Sequence, residues 1–270
     1  VSLQARYGRG AHPPRVQHNG TVDLQLAHRS VRRFRPDPVS DTALATLVAA
    51  AQSAATSSNL QPWSVVAVRD PGRRARLAEL AGDQEFIRAA PLFLVWVADL
   101  GRARRIAQRA RAELDGADYL ETTVIGFIDT ALAAQNAVLA AESLGLGTVF
   151  VGAIRNHPVE VAAELKLPPH AVAAFGLAVG APDPSEGAGI KPRLPQSAVL
   201  HHEQYDPAVA DAAVPDYDAR LADYNSRHGL PGDWTQRVLT RLAGRQSLAG
   251  RHRLREHLVA LGLPSRRLSG

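Results

Sequence analysis

Four short segments of this 270-residue chain place donors and cations at spacings that suit a planar, anionic ligand. In His28-Arg29-Ser30-Val31-Arg32 two guanidiniums lie three residues apart. One helical turn would project both to one side beside a serine hydroxyl, a fork that fits phosphate; a solvated basic turn is the plain alternative. Thr56-Ser57-Ser58-Asn59-Leu60-Gln61-Pro62-Trp63 sets short hydroxyls and amides ahead of an apolar run. They could read the edge of a polar ring or a polyol chain, although a helix-stop loop uses the same residue types. Phe150-Val151-Gly152-Ala153-Ile154-Arg155-Asn156 closes another apolar run with a glycine that lets a ligand approach the backbone. Lys191-Pro192-Arg193 holds two cations apart on a rigid proline, suited to stabilising negative charge on a heterocycle or to an exposed basic loop.

The charge pattern separates these cations from the general basicity. Lys and Arg number 31 against 26 acids, a net charge of +5, and the isoelectric point is near 10.0. The excess sits at the ends: residues 1–35 hold seven arginines against Asp23 alone, residues 237–270 eight against Glu256 alone, and the middle is net acidic. Lys166 and Lys191 are the only lysines, so Lys191 departs from an arginine habit. The arginine-rich ends lack interleaved aromatics and any nucleic-acid-binding module, which argues against a nucleic-acid partner. The absence of cysteine excludes disulfides, thiolate metal sites and cysteine nucleophiles. Gly145-Leu146-Gly147 precedes a strand and lacks the third glycine of a dinucleotide fingerprint. There is no P-loop and no G-x-S-x-G elbow, and His201-His202-Glu203, His252 and His257 lack metal-ligand spacing, so no metal is expected.

Elements must position the four segments. Residues 1–20, with Gly8, Gly10, Pro13, Pro14 and Gly20, read as a mobile arm. A short helical pattern runs from Val22 to His28, and Ser40 or Asp41 caps a helix whose face is Leu44, Leu47, Val48 and Ala51. Pro62 to Val68 and Pro91 to Ala98 read as buried strands, with Pro71 opening a helix between them. Tyr119 to Leu144 is the longest helical pattern, apolar almost all round through Ile125, Ile128, Leu132, Ala133, Leu139 and Ala140, and is expected at the centre of the fold. Strands are expected over Thr148 to Ile154, Val172 to Gly180 and Ser197 to His201, then helices from Asp216 to about Leu261. No apolar stretch is expected to reach the roughly 18 residues of a membrane span. With no secretory pattern at the start of the sequence, a cytoplasmic protein without a membrane partner is expected.

Taken in order, these motifs resemble the nitroreductase family of FMN enzymes, and within it the oxygen-insensitive NADPH nitroreductase and flavin reductase P group. The resemblance runs from about Asp23 to the C-terminal helices. It rests on His28 to Arg32, Thr56 to Gln61, Leu80-Ala81-Gly82-Asp83-Gln84, Asp129 through Gln135-Asn136 to Gly147, Gly152 to Asn156, and Lys191-Pro192-Arg193-Leu194-Pro195. It implies a homodimeric α+β, nitroreductase-like fold: a central, mostly antiparallel sheet flanked by helices, with a helical C-terminal extension and FMN at the dimer interface. The division would be a flexible arm over 1–20, an FMN-binding core over 21–200 and a dimerising extension over 201–270.

By the same resemblance, His28, Arg29, Ser30 and Arg32 would hold the FMN phosphate and flavin edge with Lys191 and Arg193. Thr56, Ser57, Ser58, Asn59 and Gln61 would line the cofactor, the first four from the other subunit. Gln84 would reach the ring or ribityl chain, and the backbone at Val151, Gly152 and Ala153 would face flavin N5. The implied reaction is ping-pong: NADPH or NADH passes hydride to the flavin and leaves, and a nitroaromatic, quinone, free flavin or similar small planar acceptor takes its place. The cofactor carries this chemistry, so no side chain is catalytic in its own right. An FMN carrier or sensor with little turnover is the alternative. Two departures from the group are visible. Arg227 is retained for the nicotinamide phosphate, but His228-Gly229-Leu230-Pro231-Gly232-Asp233 follows in place of further arginines, which puts the NADPH preference in question, and Ala153 replaces a glycine beside the flavin.

Overall fold

The computed structural model describes residues 3–263. Its helices and strands run α1 (Leu3–Tyr7), α2 (Gly20–Ala27), α3 (Asp41–Gln52), β1 (Trp63–Val68), α4 (Pro71–Leu80), α5 (Glu85–Ala89), β2 (Leu92–Asp99), α6 (Gly101–Ala110), α7 (Leu120–Ser143), β3 (Gly147–Val151), α8 (Pro158–Glu164), β4 (Ala171–Gly180), α9 (Pro207–Ala212), α10 (Val214–Arg227), α11 (Trp234–Leu242) and α12 (Leu254–Ala260). Local chemistry sets several boundaries. Ser40 Oγ accepts from Ala43 N at 3.1 Å to start α3, and Asp70 accepts from Arg73 N at 2.7 Å with Pro71 as the first residue of α4. Contacts divide the chain into a larger unit, residues 30–186 with 249–263, and a smaller unit, residues 3–29 with 187–248.

The larger unit is built on an antiparallel sheet of order β1-β2-β4-β3. Adjacent residues on β2 serve opposite layers, and residues two apart share one. Phe93 and Val95 pack with Leu77, Ile87, Ile154 and Val161 on one face. Leu92, Leu94 and Trp96 pack with Leu47 of α3 and the α7 side chains Ala133, Ala134, Ala137, Val138 and Ala141 on the other.

Helix α7 differs from its expected central burial. Its small residues face the sheet, while Leu120, Val124, Ile128 and Leu132, spaced four apart, form a ridge exposed by 57%, 40%, 52% and 46%. The expectation about apolar stretches is also corrected: α7 is long and apolar enough to cross a membrane by composition. Its packing against the sheet and its buried Asp129 assign it to the core instead.

The smaller unit gathers around Tyr217, Leu221 and Tyr224 of α10, with Leu194 and Trp234 packed against them. Two expectations change here. The segment read as an arm carries α1, and its Arg6 is buried. The strand expected over Ser197 to His201 is replaced by a single 3-10 turn, Gln196–Ala198. Val199 and Leu200 are exposed, so the apolar run has no sheet to join. The C-terminal stretch is also split, since α12 belongs to the larger unit, where Leu263 lies against Ala98, Leu100 and Val172.

Mid-strand β4 leaves no room for a side chain at Gly176, where a Cβ would lie 2.2 Å from Phe93 Cζ. Gly176→Ala is therefore expected to destabilise the larger unit by about 1–3 kcal/mol through overpacking. A urea unfolding midpoint equal to that of the parent would contradict this.

Candidate functional site

In the larger unit the loop after α3 has an unusual backbone. Ser58, Asn59 and Gln61 have φ values of 48°, 55° and 49°, a left-handed conformation that costs energy for residues with a Cβ. The loop is held by a carboxylate. Ser57 N donates to both oxygens of Asp129, at 3.2 and 3.1 Å, and Asp129 is only 2% exposed. Within the loop, Gln61 N donates to Thr56 Oγ1 at 3.3 Å and the Gln61 side-chain amide to Asn59 Oδ1 at 3.2 Å. Arg102 adds a bond to the Gln61 carbonyl at 2.9 Å. Asn136 of α7 donates to the Ala50 carbonyl at 3.1 Å, so one helix anchors both α3 and the loop that follows it.

Ser30 forms a parallel bridge with Thr148 at the edge strand β3. The backbone N–H groups of Arg32 and Arg33 both donate to Glu186 Oε2, at 2.6 and 2.7 Å, and the Arg32 guanidinium lies 5.9 Å from the Phe86 ring centre. At the other end of β3 the buried Val151 leads into a 3-10 turn, Gly152–Asn156, whose opening N–H groups have no partner within the turn. A Cβ on Gly152 would meet Arg155 Nη2 at 3.4 Å, an ordinary contact, and its φ is not left-handed, so neither the chain's packing nor its backbone demands glycine there. Gln84 precedes α5, and its side-chain amide donates to the Gly82 carbonyl at 3.2 Å. The Asn156 amide lies on the same glycine, with its Oδ1 buried and unbonded.

In the smaller unit His28 and Lys191 are half-buried, and Arg29 and Arg193 are exposed. The Lys191 loop is fixed by its carbonyls: Tyr217 Oη donates to Pro192 O and Tyr224 Oη to Gly189 O, both at 3.0 Å. Burial pushes the Tyr217 phenol above its ordinary pKa, with Arg193 and Arg237 opposing, so it remains a donor at neutral pH. Lys191 Nζ and the Arg227 guanidinium lie 5.9 and 6.0 Å from the Tyr224 ring centre, and His228 stacks on that ring at 4.0 Å. Arg227 pairs with Asp223 at 2.7 Å, and this hydrogen bond holds the Asp223 carboxyl below the usual range. A cavity of about 410 Å³ is lined by Arg9, Ile190, Pro192, Tyr224, Arg227 and His228.

Three residues that hold these segments have no role assigned from the sequence: Asp129, quoted there only as the start of a motif, Glu186 and Arg6. A carboxylate in the middle of an apolar helix is the available signal for Asp129, whereas Glu186 and Arg6 act on distant backbone atoms. Among the described residues no cluster of His, Asp or Glu is placed to hold a metal ion.

The Nitroreductase family matches residues 26–181, and the Nitroreductase family C-terminal domain matches residues 191–266. The chain belongs to the nitroreductase family. A curated relative, the NADPH-flavin oxidoreductase of Vibrio harveyi, is 38% identical over 229 residues, covering 84% of this chain and 92% of that protein. Among solved structures, B. megaterium NfrA2 is similar with a TM-score of 0.86 and 37% identity, covering 93% of this chain and 100% of that one. The NADPH:FMN oxidoreductase of Vibrio harveyi complexed with NAD+ gives a TM-score of 0.82 at 35% identity, covering 92% and 100%.

For this nitroreductase-family chain, the donor chemistry of each unit fits a part of FMN. The larger unit offers hydroxyls, amides and an undemanded glycine, suited to a polyol and a ring that approaches backbone. The smaller offers imidazole, ammonium and guanidinium groups, suited to a phosphate. The Asp129 bond generates a direct test. Asp129→Asn removes a charged acceptor, a bond class worth about 1.5–3 kcal/mol, and should release the strained loop. Faster amide exchange at Ser57, with the sheet amides unchanged, is the expected readout.

Proposed function

We propose that this chain is an FMN-dependent NAD(P)H oxidoreductase that works by alternating occupancy: the reduced nicotinamide gives up hydride and leaves before a small planar acceptor takes the same place. Nitroaromatics, quinones and free flavin form the acceptor class. The observation that carries the reading is the left-handed turn over Ser58, Asn59 and Gln61, braced by buried Asp129. Backbone strain of this kind persists where a site requires it. The flavin and FMN named for the Vibrio harveyi relatives, and the NAD+ bound to one of them, support the choice of cofactor and donor.

When bound, FMN supplies the two-electron relay between donor and acceptor. The chain's own residues bind and orient. Thr56, Ser57, Ser58, Asn59 and Gln61 bring hydroxyls and amides, Ser30 and Gln84 add further polar contacts, and Arg32 adds a cation. The N–H groups at Gly152 and Ala153, following Val151, would supply donors to the ring, which gains negative charge on reduction. His28, Arg29, Lys191 and Arg193 carry the positive charge suited to the cofactor phosphate, and Arg227 that suited to the NADPH phosphate.

A homodimer is part of the reading, because the exposed α7 ridge of Leu120, Val124, Ile128 and Leu132 supports an apolar interface. A cytoplasmic location is also part of it, since the reaction consumes reduced nicotinamide.

Two measurements test this. FMN-loaded protein mixed anaerobically with NADPH or NADH should bleach, recover its colour on adding quinone after the nicotinamide is removed, and give parallel double-reciprocal lines at steady state. Converging lines would exclude alternating occupancy, and a yellow protein bleached by neither donor would favour a flavin carrier. Separately, Ile128→Glu places a charge on the ridge and should shift the protein from dimer to monomer in light scattering; a parent already monomeric would remove the dimer from the reading.

A further inference from the structure

Arg6 of α1 is 8% exposed and its guanidinium reaches both cationic segments of the smaller unit. Its Nη2 donates to Leu26 O at 2.9 Å and His28 O at 2.6 Å, and its Nη1 to Lys191 O at 3.1 Å. Its own carbonyl accepts from Arg193 N at 2.9 Å. One residue thus joins the His28-Arg29 turn to the Lys191-Pro192-Arg193 loop, segments about 160 positions apart in the sequence. These two segments carry the cations assigned above to the cofactor phosphate.

Cations gathered for one anion repel each other and would spread apart if only that anion held them. Arg6 counters the spreading through the backbone. A planar guanidinium presents its N–H groups in a fixed fork. Here the fork engages a carbonyl from each segment, and the positive group also sits at the C-terminal end of α2, where it is favoured. Because a trans peptide points its C=O and the next N–H in opposite directions, turning the His28 carbonyl toward Arg6 turns the Arg29 N–H away from it.

We infer that Arg6 is a positioning residue for flavin-phosphate recognition, setting the spacing of the His28-Arg29 and Lys191-Arg193 cations before the cofactor arrives. This rests on the proposed phosphate role of those cations. Arg6 binds backbone carbonyls of both segments and does no chemistry itself. Tyr217 braces Pro192 independently, so the loop keeps an anchor when Arg6 is removed.

The test compares FMN with riboflavin, which lacks only the phosphate, by fluorescence titration of the full-length deflavinated protein. Arg6→Ala should weaken FMN about ten- to a hundredfold, the range seen when a supporting contact behind a bound group is lost, and leave riboflavin within about twofold. A general loss of structure would weaken both flavins alike and so overturn the inference. Arg193→Ala serves as the control for the phosphate reading. If Arg193→Ala narrows the FMN preference and Arg6→Ala does not, the role of Arg6 is wrong and the phosphate reading stands; if neither narrows it, the phosphate reading fails and the inference with it. Should Arg6→Ala not fold, Arg6→Lys keeps the charge without the fork: a narrowed preference supports the inference and an unchanged one overturns it.

Discussion

Helix α7 can lie close to the sheet because its inward residues are alanines. Ala133, Ala134, Ala137 and Ala141 leave little side chain between the helix backbone and the strands, and Val138 fills the remaining gap. This close approach constrains the rest of the larger unit. It brings Asp129 under the loop after α3 and lets Asn136 reach the Ala50 carbonyl. It also leaves the bulky residues of the helix nowhere to go but outward. An inward face of larger side chains would push the helix away and separate the carboxylate from the loop it braces. Interior packing density makes such a change costly, because neighbouring side chains have little room to adjust.

The chemistry of the proposed site follows from how each unit satisfies its backbone. In the larger unit an acceptor-only carboxylate binds backbone N–H groups twice: Asp129 at Ser57, and Glu186 at Arg32 and Arg33. In the smaller unit the pattern is reversed, with side-chain donors from Arg6, Tyr217 and Tyr224 taking carbonyl oxygens. Both devices fix the main chain while the recognition side chains remain on the surface of their segments. A set of hydroxyls and cations presented in this way loses little conformational entropy when it meets a ligand.

Much of the framework was legible because it rests on local signals. The Ser40 cap, Pro71 at the start of α4, the strands after Pro62 and Pro91 and the helix beginning near Tyr119 are each written within a few residues. The six motifs also led to the family, since their order and spacing survive without any knowledge of contacts. What stayed hidden depends on distance. Arg6 sits in a glycine- and proline-rich segment with no periodicity, and one of its partners is 185 residues away. The direction of the α7 faces was equally hidden, because an apolar helix does not say which side meets its own sheet. Ser197 to His201 had the composition of a strand, but an apolar run becomes one only where a neighbour offers unpaired backbone.

Neither unit is continuous in the sequence. The smaller one joins residues 3–29 to 187–248, and the larger is completed by residues after 249, whose Leu263 enters its core. During synthesis the first segment must therefore wait while the sheet is made, since its partners emerge only afterward. The four strands are all made before the smaller unit's second segment, but the contact of Leu263 with the core follows it. The larger unit is closed by residues that follow the smaller unit's last segment, so a ribosome stalled near residue 240 would hold two unfinished cores at once.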